Sequence, residues 1–489
     1  VDVAIVGAGI TGVTAALLLK RAGKRVAVLE MDRIGAGETG NTTAHSTVLL
    51  DAGYATLRKR FGDDGAKRAA ESQQVALDTI AELVRQEQIA CDFLRVPTYL
   101  YCESPADMQE IDDEIDSLKR VGFDVARVRD VPLPFPVHGG LRLEGQLQLH
   151  ALRYVDALAR RVHGDGCSIH EGTRVTRVEP GEPCVVHTSH GQVRARDVLY
   201  ASHAPINWLK LHTKIEAYRS YVLAVRTPNP PPYAQYYDTM NPYHYLRNHP
   251  YGDGSVLIIG GEDHRTGAEQ HTEEHYAALE QYARERFGEV EVVHAWSGQI
   301  LEPADGLPFI GKNPGDEHIY VSTGYSGTGI SNGTLGAILC TDAILHRDNP
   351  WAELYSPSRF KPLAQLRGFV SQNADVPAHL VGDRLKAILA HGDVSPGQGR
   401  VMRHEGHTLA VYHDEQGQYH LLSPVCPHMG CYVQWNDGDK SWDCPCHGSR
   451  FSATGTLING PAVDDLHRHG EAPSDAPTSP KDEPHPPVP

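Results

Sequence analysis

The chain opens on four apolar residues, Val3 to Val6, a run suited to a short buried strand. A glycine-rich turn follows, and an apolar-rich stretch from about Ile10 to Ala22 predicts a helix stopped at Gly23. Arg25 to Leu29 predicts a second strand, with Glu30 at its end. Residues 51–150 carry helical patterning, clearest at Ala66–Gln86 and Glu110–Val121, with a break at Pro132-Leu133-Pro134-Phe135-Pro136. Between 210 and 300 the pattern alternates, and strands are expected at Ala217–Thr227, Tyr243–Arg247 and Ser255–Ile259. Ile319–Ser322 predicts a further strand, then a glycine loop and a helix to about Leu345. Gly399–His404, His407–His413 and Gln418–Leu422 predict short strands of a small β domain, with turns at Gly406 and Glu415-Gln416-Gly417. Residues 471–489 hold seven Pro among polar residues and predict an extended tail.

A length of 489 residues suggests two or three domains at ~150 residues each. No apolar run reaches the ~18 to 20 residues of a membrane helix, so no integral membrane segment is expected. The net charge of −17 argues against a nucleic-acid partner, which needs a basic face. The 28 His make that charge sensitive to pH near ~6.5. Four of nine Cys fall between positions 426 and 446; Cys91, Cys102, Cys167, Cys184 and Cys340 are scattered. That distribution points to one local site rather than a chain-wide disulfide framework, and to a cytoplasmic protein. The start at Val1 leaves an export signal open.

The first turn reads Gly7-Ala8-Gly9-Ile10-Thr11-Gly12, placed between a strand and a helix. This is a dinucleotide fingerprint in its required context. Gly7 permits the turn, Gly9 admits a pyrophosphate close to the backbone, and Gly12 lets helix and strand pack. Ile10 and Thr11 begin the helix whose N-terminus favours phosphate. Glu30 is placed to accept from a ribose hydroxyl, which favours FAD or NAD over NADP. The loop Gly35–His45 is small and hydroxyl-rich, and its Thr39, Thr42, Thr43, Ala44 and His45 are candidates to wrap phosphate and ribitol oxygens. A second strand, loop and helix unit carries Gly324, Gly327, Thr328, Gly329 and Ile330, and puts another positive helix end into the site, which selects FAD.

With Trp296-Ser297-Gly298 and Asp305-Gly306-Leu307-Pro308-Phe309-Ile310-Gly311, residues 1 to 350 resemble the D-amino-acid oxidase/sarcosine oxidase group of flavoproteins. The resemblance implies a two-layer FAD fold and oxidation of C–N bonds by hydride transfer to the flavin. It matches Val175 to a position that touches the adenine half, and residues 195–203 to a later strand of the nucleotide domain. Some members hold flavin covalently through a histidine; His45 is considered for that role, beside the reading that it only lines the site. Members often place an arginine before Asp-Gly-x-Pro to hold a substrate carboxylate. Here Gly298-Gln299-Ile300-Leu301-Glu302-Pro303 has none, which argues against an α-amino-acid substrate. Gln299 and Glu302 are instead expected to meet a polar or cationic group. Tyr245 and Arg247, and Gly260-Gly261-Glu262-Asp263-His264 after the next strand, are candidates for a substrate wall; a surface or turn role is the alternative. Tyr245, Arg247 and Gln299 are the candidate catalytic residues.

The late cysteines read Cys426-Pro427-His428-Met429-Gly430-Cys431 and Cys444-Pro445-Cys446-His447-Gly448-Ser449. Each half offers one thiolate and one imidazole, the set a Rieske [2Fe–2S] centre needs. Cys426 and Cys444 are assigned to one iron, His428 and His447 to the other. A structural Cys2His2 zinc site is the alternative, though zinc fingers usually pair like with like. Residues 390 to 466 resemble Rieske proteins of the cytochrome bc type. The resemblance implies a Cys431–Cys446 disulfide, with two free thiols as the alternative. It also implies a hydrogen bond from Ser449 to a cluster sulfur. Phe451 stands where the highest-potential members have tyrosine, so an intermediate potential is expected. Trp435 and Trp442 are expected in the core.

The expected fold is an α/β, Rossmann-like FAD-binding domain (about 1–50, 150–210 and 295–348) with a mostly β substrate domain (51–149 and 211–294). A linker (349–390), a C-terminal all-β Rieske domain (391–466) and a tail (467–489) follow. The expected function is FAD-dependent oxidation of an amine or amino-acid-like small molecule. Electrons would pass singly to the in-chain cluster and then to an external one-electron carrier or quinone. Two alternatives stand beside it. A reductase or ferredoxin feeds the cluster and the flavin reduces a substrate, or the Rieske module is a docking unit on a flavin oxidase.

Overall fold

The computed structural model describes residues 1–204, 211, 213–359 and 392–469. Most of the expected linker, with Phe360 and Phe369, lies outside the described residues, as do 205–210 and 470–489.

The first layer is a six-stranded sheet. Its order is Phe309–Lys312, Ile319–Thr323, Asp197–Tyr200, Val3–Val6, Val26–Leu29, Ser168–His170. The pairs are parallel except at the Phe309–Lys312 edge. Val3–Val6 and Val26–Leu29 are buried at every position, because helices cover one face (Val3, Ile5, Val26, Val28) and a small antiparallel sheet covers the other (Ala4, Val6, Leu29). Helix Ile10–Arg21 and helix Gly329–Ile344 pack against each other on this sheet. A three-stranded antiparallel sheet, Val175–Glu179, Cys184–Thr188 and Gly191–Ala195, adjoins it.

The second layer is a nine-stranded sheet containing Ile215–Arg226, His244–Tyr251, Gly254–Arg265 and Glu291–Pro303. Residues 51–150 are not only helical: they give this sheet the strands Leu94–Cys102, Val125–Val128 and Gly139–Gln148. The helix expected from Ala66 starts at Tyr54, because Gly62 (φ 75°) kinks it without ending it. Gly260 and Gly261 lie inside a strand rather than after one. A Cβ at Gly260 would stand 2.2 Å from the Tyr245 ring, so glycine is what lets that ring lie across the neighbouring strand. In the Asp-Gly-Leu-Pro segment, Asp305 is wholly buried and held by Arg359 through two contacts of 2.8 Å.

The last module has two antiparallel sheets. One holds Gln398–His404, His407–His413 and Tyr419–Leu422; the other holds Gln434–Asn436, Ser441–Asp443, Arg450–Ser452 and Leu457–Asn459. Trp435 and Trp442 meet edge to face at 4.9 Å in its core, beside Phe451. Among the described residues no helix is long and apolar enough to cross a membrane.

Candidate functional site

A cavity of about 630 Å³ opens beyond the carboxyl ends of strands Val3–Val6, Val26–Leu29 and Asp197–Tyr200, where open α/β sheets bind ligands. Its size is that of a cofactor site, within the ~300 to 1,000 Å³ usual for ligand pockets. Gly7, Gly9, Ile10, Thr11 and Glu30 line it. Glu30 accepts from Ala8 N (2.7 Å) and Asp32 N (2.9 Å), which fixes the carboxylate at the strand end. Burial raises its pKa against those two amides. Gly12 does not line the cavity. A Cβ there would stand 1.9 Å from Gly7 O, so Gly12 serves the turn's packing.

Thr39, Thr42, Thr43, His45, Val175, Gly327, Gly329 and Ile330 also line the cavity. Ala44, Gly324 and Thr328 do not. Gly324 packs on Pro303, and the Thr328 hydroxyl caps Tyr325 O within its own loop (3.2 Å). The unit after strand Ile319–Thr323 thus forms a wall through Tyr325–Gly327, Gly329 and Ile330. The donor set, the glycine cradle and the open helix end fit FAD.

His45 has both ring nitrogens engaged. Nε2 donates to Leu246 O (3.2 Å), so Nδ1 is left to accept from the Thr43 hydroxyl (3.0 Å). Burial, then the nearby Arg247 charge, pull its pKa to about 3, so it is neutral. This arrangement favours a lining histidine over a covalent one.

The three candidate catalytic residues separate. Tyr245 lines the cavity, bonded to Ser220 Oγ (3.0 Å) and edge-on to His45. Arg247 does not. It is 3% exposed and spent on Thr43 O and Leu149 O, so it braces the hydroxyl loop from behind. Gln299 lines the cavity, but its Nε2 donates to Gly448 O (2.7 Å) in the iron–sulfur module and its backbone N–H donates to Glu38 (2.6 Å).

An acidic patch adjoins the Tyr245 end. Asp51, on the cavity wall, accepts from Gly327 N; Asp263 accepts from Tyr243 OH (3.0 Å); Glu302 lies near both. Asp51 is exposed on the cavity wall; burial raises the other two, Asp263 to about 6 and Glu302 to about 7, and repulsion among the three carboxylates adds to both shifts. Among the described residues no Arg or Lys forms an ion pair with them. Sequence reasoning reached Glu302 and the Asp263 segment but missed Asp51, whose place in the site depends on a turn far from the strand it faces.

The two cysteine loops converge. Cys426 and Cys444 are buried in one cluster, near enough that each shifts the other's ionisation, and the Ser449 hydroxyl lowers that of Cys426. His428 and His447 rings meet edge to face at 5.0 Å, and burial pulls each to about 4, keeping them neutral. Two thiols beside two neutral imidazoles are the donors a Rieske cluster requires, and the residues fit it. Cys431 and Cys446 form a disulfide (Cα–Cα 6.5 Å). Their sulfurs lie within 4.8 Å of Cys444, but bonded together they offer no thiolate.

The module docks on the flavoprotein part through a buried charge network that sequence reasoning did not find. Asp439 accepts from Arg219 (2.8 Å), Arg450 (2.7 Å) and Tyr276 (3.0 Å), and from Ser297. Burial opposes its ionisation, but the two arginines outweigh burial and hold it at about 2. One signal was available: Arg219 is the one charged residue in the strand stretch Ala217 to Val225, and it is 1% exposed.

The FAD dependent oxidoreductase family matches residues 2–343, and the Rieske [2Fe-2S] domain matches residues 385–470. A Bacillus subtilis (strain 168) protein named as a Rieske 2Fe-2S iron-sulfur protein, YhfW, is 33% identical over 470 residues, which are 95% of this chain and 92% of that protein. Gamma-glutamylputrescine oxidoreductase of Escherichia coli (strain K12) is 27% identical over 42% of this chain and 49% of its own. Glycine oxidase from Geobacillus kaustophilus shares the fold: TM-score 0.63, 20% identity, 73% of this chain and 99% of that one. The chain therefore belongs to the FAD-dependent oxidoreductase family and is an oxidoreductase that carries a Rieske [2Fe-2S] domain behind its flavin domain.

Proposed function

We propose that this enzyme oxidises a C–N bond of a cationic amine and passes the electrons through its own iron–sulfur module to an external one-electron carrier or quinone. The observation that carries the outlet is the Gln299 bridge. Gln299 lines the flavin cavity and donates to Gly448 O, the residue next to His447 (2.7 Å). Bound FAD supplies a hydride acceptor, and the Rieske cluster supplies a one-electron relay. In this reading Cys426, His428, Cys444 and His447 hold the cluster, and the fingerprint residues, Glu30 and Val175 hold FAD.

The chain's own residues select the substrate. Asp51, on the cavity wall, meets a cationic group away from the reacting carbon, and Asp263 and Glu302, which do not line the cavity, add negative charge behind it, where related enzymes often put an arginine for a carboxylate. Tyr237, Tyr243 and Tyr245 give the same end aromatic walls, which suit an ammonium. Tyr243 fixes Asp263 through its hydroxyl, so a carboxylate oxygen is held ready before the substrate enters.

Anaerobic mixing with mono-, di- and polyamines and with amino acids tests this. Flavin bleaching and the EPR signal of the reduced cluster are followed together. Diamines are expected to bleach the flavin and then develop the cluster signal. Bleaching with the cluster left oxidised refutes the outlet, and reaction with amino acids alone refutes the substrate class.

A further inference from the structure

The flavin cavity is not built by the flavoprotein part alone. The segment from Thr456 to Val463 of the iron–sulfur module lines it beside the fingerprint, Glu38 and Arg174. This segment includes Leu457–Asn459, the edge strand of the module's four-stranded sheet. An edge strand leaves backbone groups outside the ladder.

The segment is pinned to the flavoprotein part on both sides. Asn459 Nδ2 donates to Glu38 Oε1 (3.0 Å), and Glu38 Oε2 accepts from Gln299 N (2.6 Å). Beyond the other end, Asp465 pairs with Arg174 (2.8 Å), next to Val175. A third tie runs inward, from Ala462 N to Ser449 Oγ (3.0 Å), two residues past His447. Ile458 is 38% exposed although it lies on the wall of a cavity shared by two modules. An apolar side chain in that position is covered when a large, partly aromatic ligand fills the space.

We propose that Thr456–Val463 is part of the FAD-binding site, with the iron–sulfur module supplying one wall and Ile458 an apolar contact to the bound dinucleotide. The module is then needed to retain the flavin. The two cofactor sites are coupled through Ala462 and Ser449, and by linkage FAD stabilises the docked module. This inference does not depend on the substrate or on the direction of electron flow.

The test uses the full chain loaded with both cofactors. Ile458→Asp replaces an exposed apolar contact by a carboxylate in a cavity that must hold a diphosphate. The FAD dissociation constant, read from flavin fluorescence released on dilution, is expected to rise about tenfold or more. The visible circular dichroism of the cluster should stay unchanged, showing the module intact. Tyr419→Asp, on a residue 51% exposed and off the cavity, should leave FAD affinity unchanged. A second measurement needs no substitution: amide hydrogen exchange over 456–463 should slow when FAD is restored to stripped protein. Unchanged FAD affinity in Ile458→Asp with an intact cluster spectrum overturns the proposal. So does exchange over 456–463 that is indifferent to FAD, which also decides the matter if the variant loses its cluster.

Discussion

Asp439→Asn is the sharpest probe of how the two modules are held. Asparagine keeps the shape of a protonated aspartate and removes the charge. Asp439 moves from 3.8 to about 2 on folding, so its ionisation contributes about 2 kcal/mol of stability at neutral pH. The substitution also strands Arg219. That side chain is 1% exposed, and its Nε and Nη1 already lack hydrogen-bond partners. Arg450 suffers less, because it keeps Asp443 at 2.9 Å. A buried arginine left uncompensated costs ~3 to 5 kcal/mol in comparable cases. A loss of about 2 to 4 kcal/mol is therefore expected in denaturant unfolding, with the module released first in limited proteolysis. Arg219→Met combined with Asp439→Asn should recover part of the loss, since the stranded charge is gone. A loss below about 1 kcal/mol, or a double variant no better than the single, refutes the argument that this buried network holds the interface. The pH dependence has a fixed sign. The folded pKa is depressed, so the contribution is complete above about pH 4 and fades as pH falls through 2.

Other outcomes follow from the same geometry. Gly12→Ala places a methyl against Gly7 O and should abolish flavin binding, read as loss of the visible flavin spectrum. Asp263 and Glu302 gain charge as pH rises through 6 to 7, so the KM of a diamine should fall over that range while that of a neutral analogue stays flat. Phe451→Tyr offers the cluster one more donor and should raise its midpoint potential by about 40 mV, the equivalent of ~1 kcal/mol on a one-electron couple, as read by potentiometric EPR. Arg247→Leu frees Thr43 O and should weaken FAD retention more than it changes substrate KM.

Much of this protein was legible from local pattern. The fingerprint, Glu30 and both cysteine–histidine loops are short-range motifs, in which spacing along the chain fixes spacing in space. The two strands and the helix around Gly7–Gly12 follow from apolar runs and glycine stops, and the structure places them within a residue or two. Arg247 was legible as a strand residue on the same face as Tyr245 but not as one outside the cavity, because alternation gives the face and not how far along it the hydroxyl loop at Thr43 covers the strand. Gly260 likewise looks like part of a turn until the Tyr245 ring on the adjacent strand is seen to need the room.

The sequence by itself therefore determined which cofactors the chain is built to hold, since each is announced by short motifs whose residues stand close along the chain. Tertiary structure decided how the two sites are joined. Gln299 meets Gly448, Asp439 meets Arg219 and Asn459 meets Glu38 across separations of 149, 220 and 421 residues. No periodicity in a sequence encodes contacts at such range. They arise when two folded surfaces bury complementary polar groups against each other.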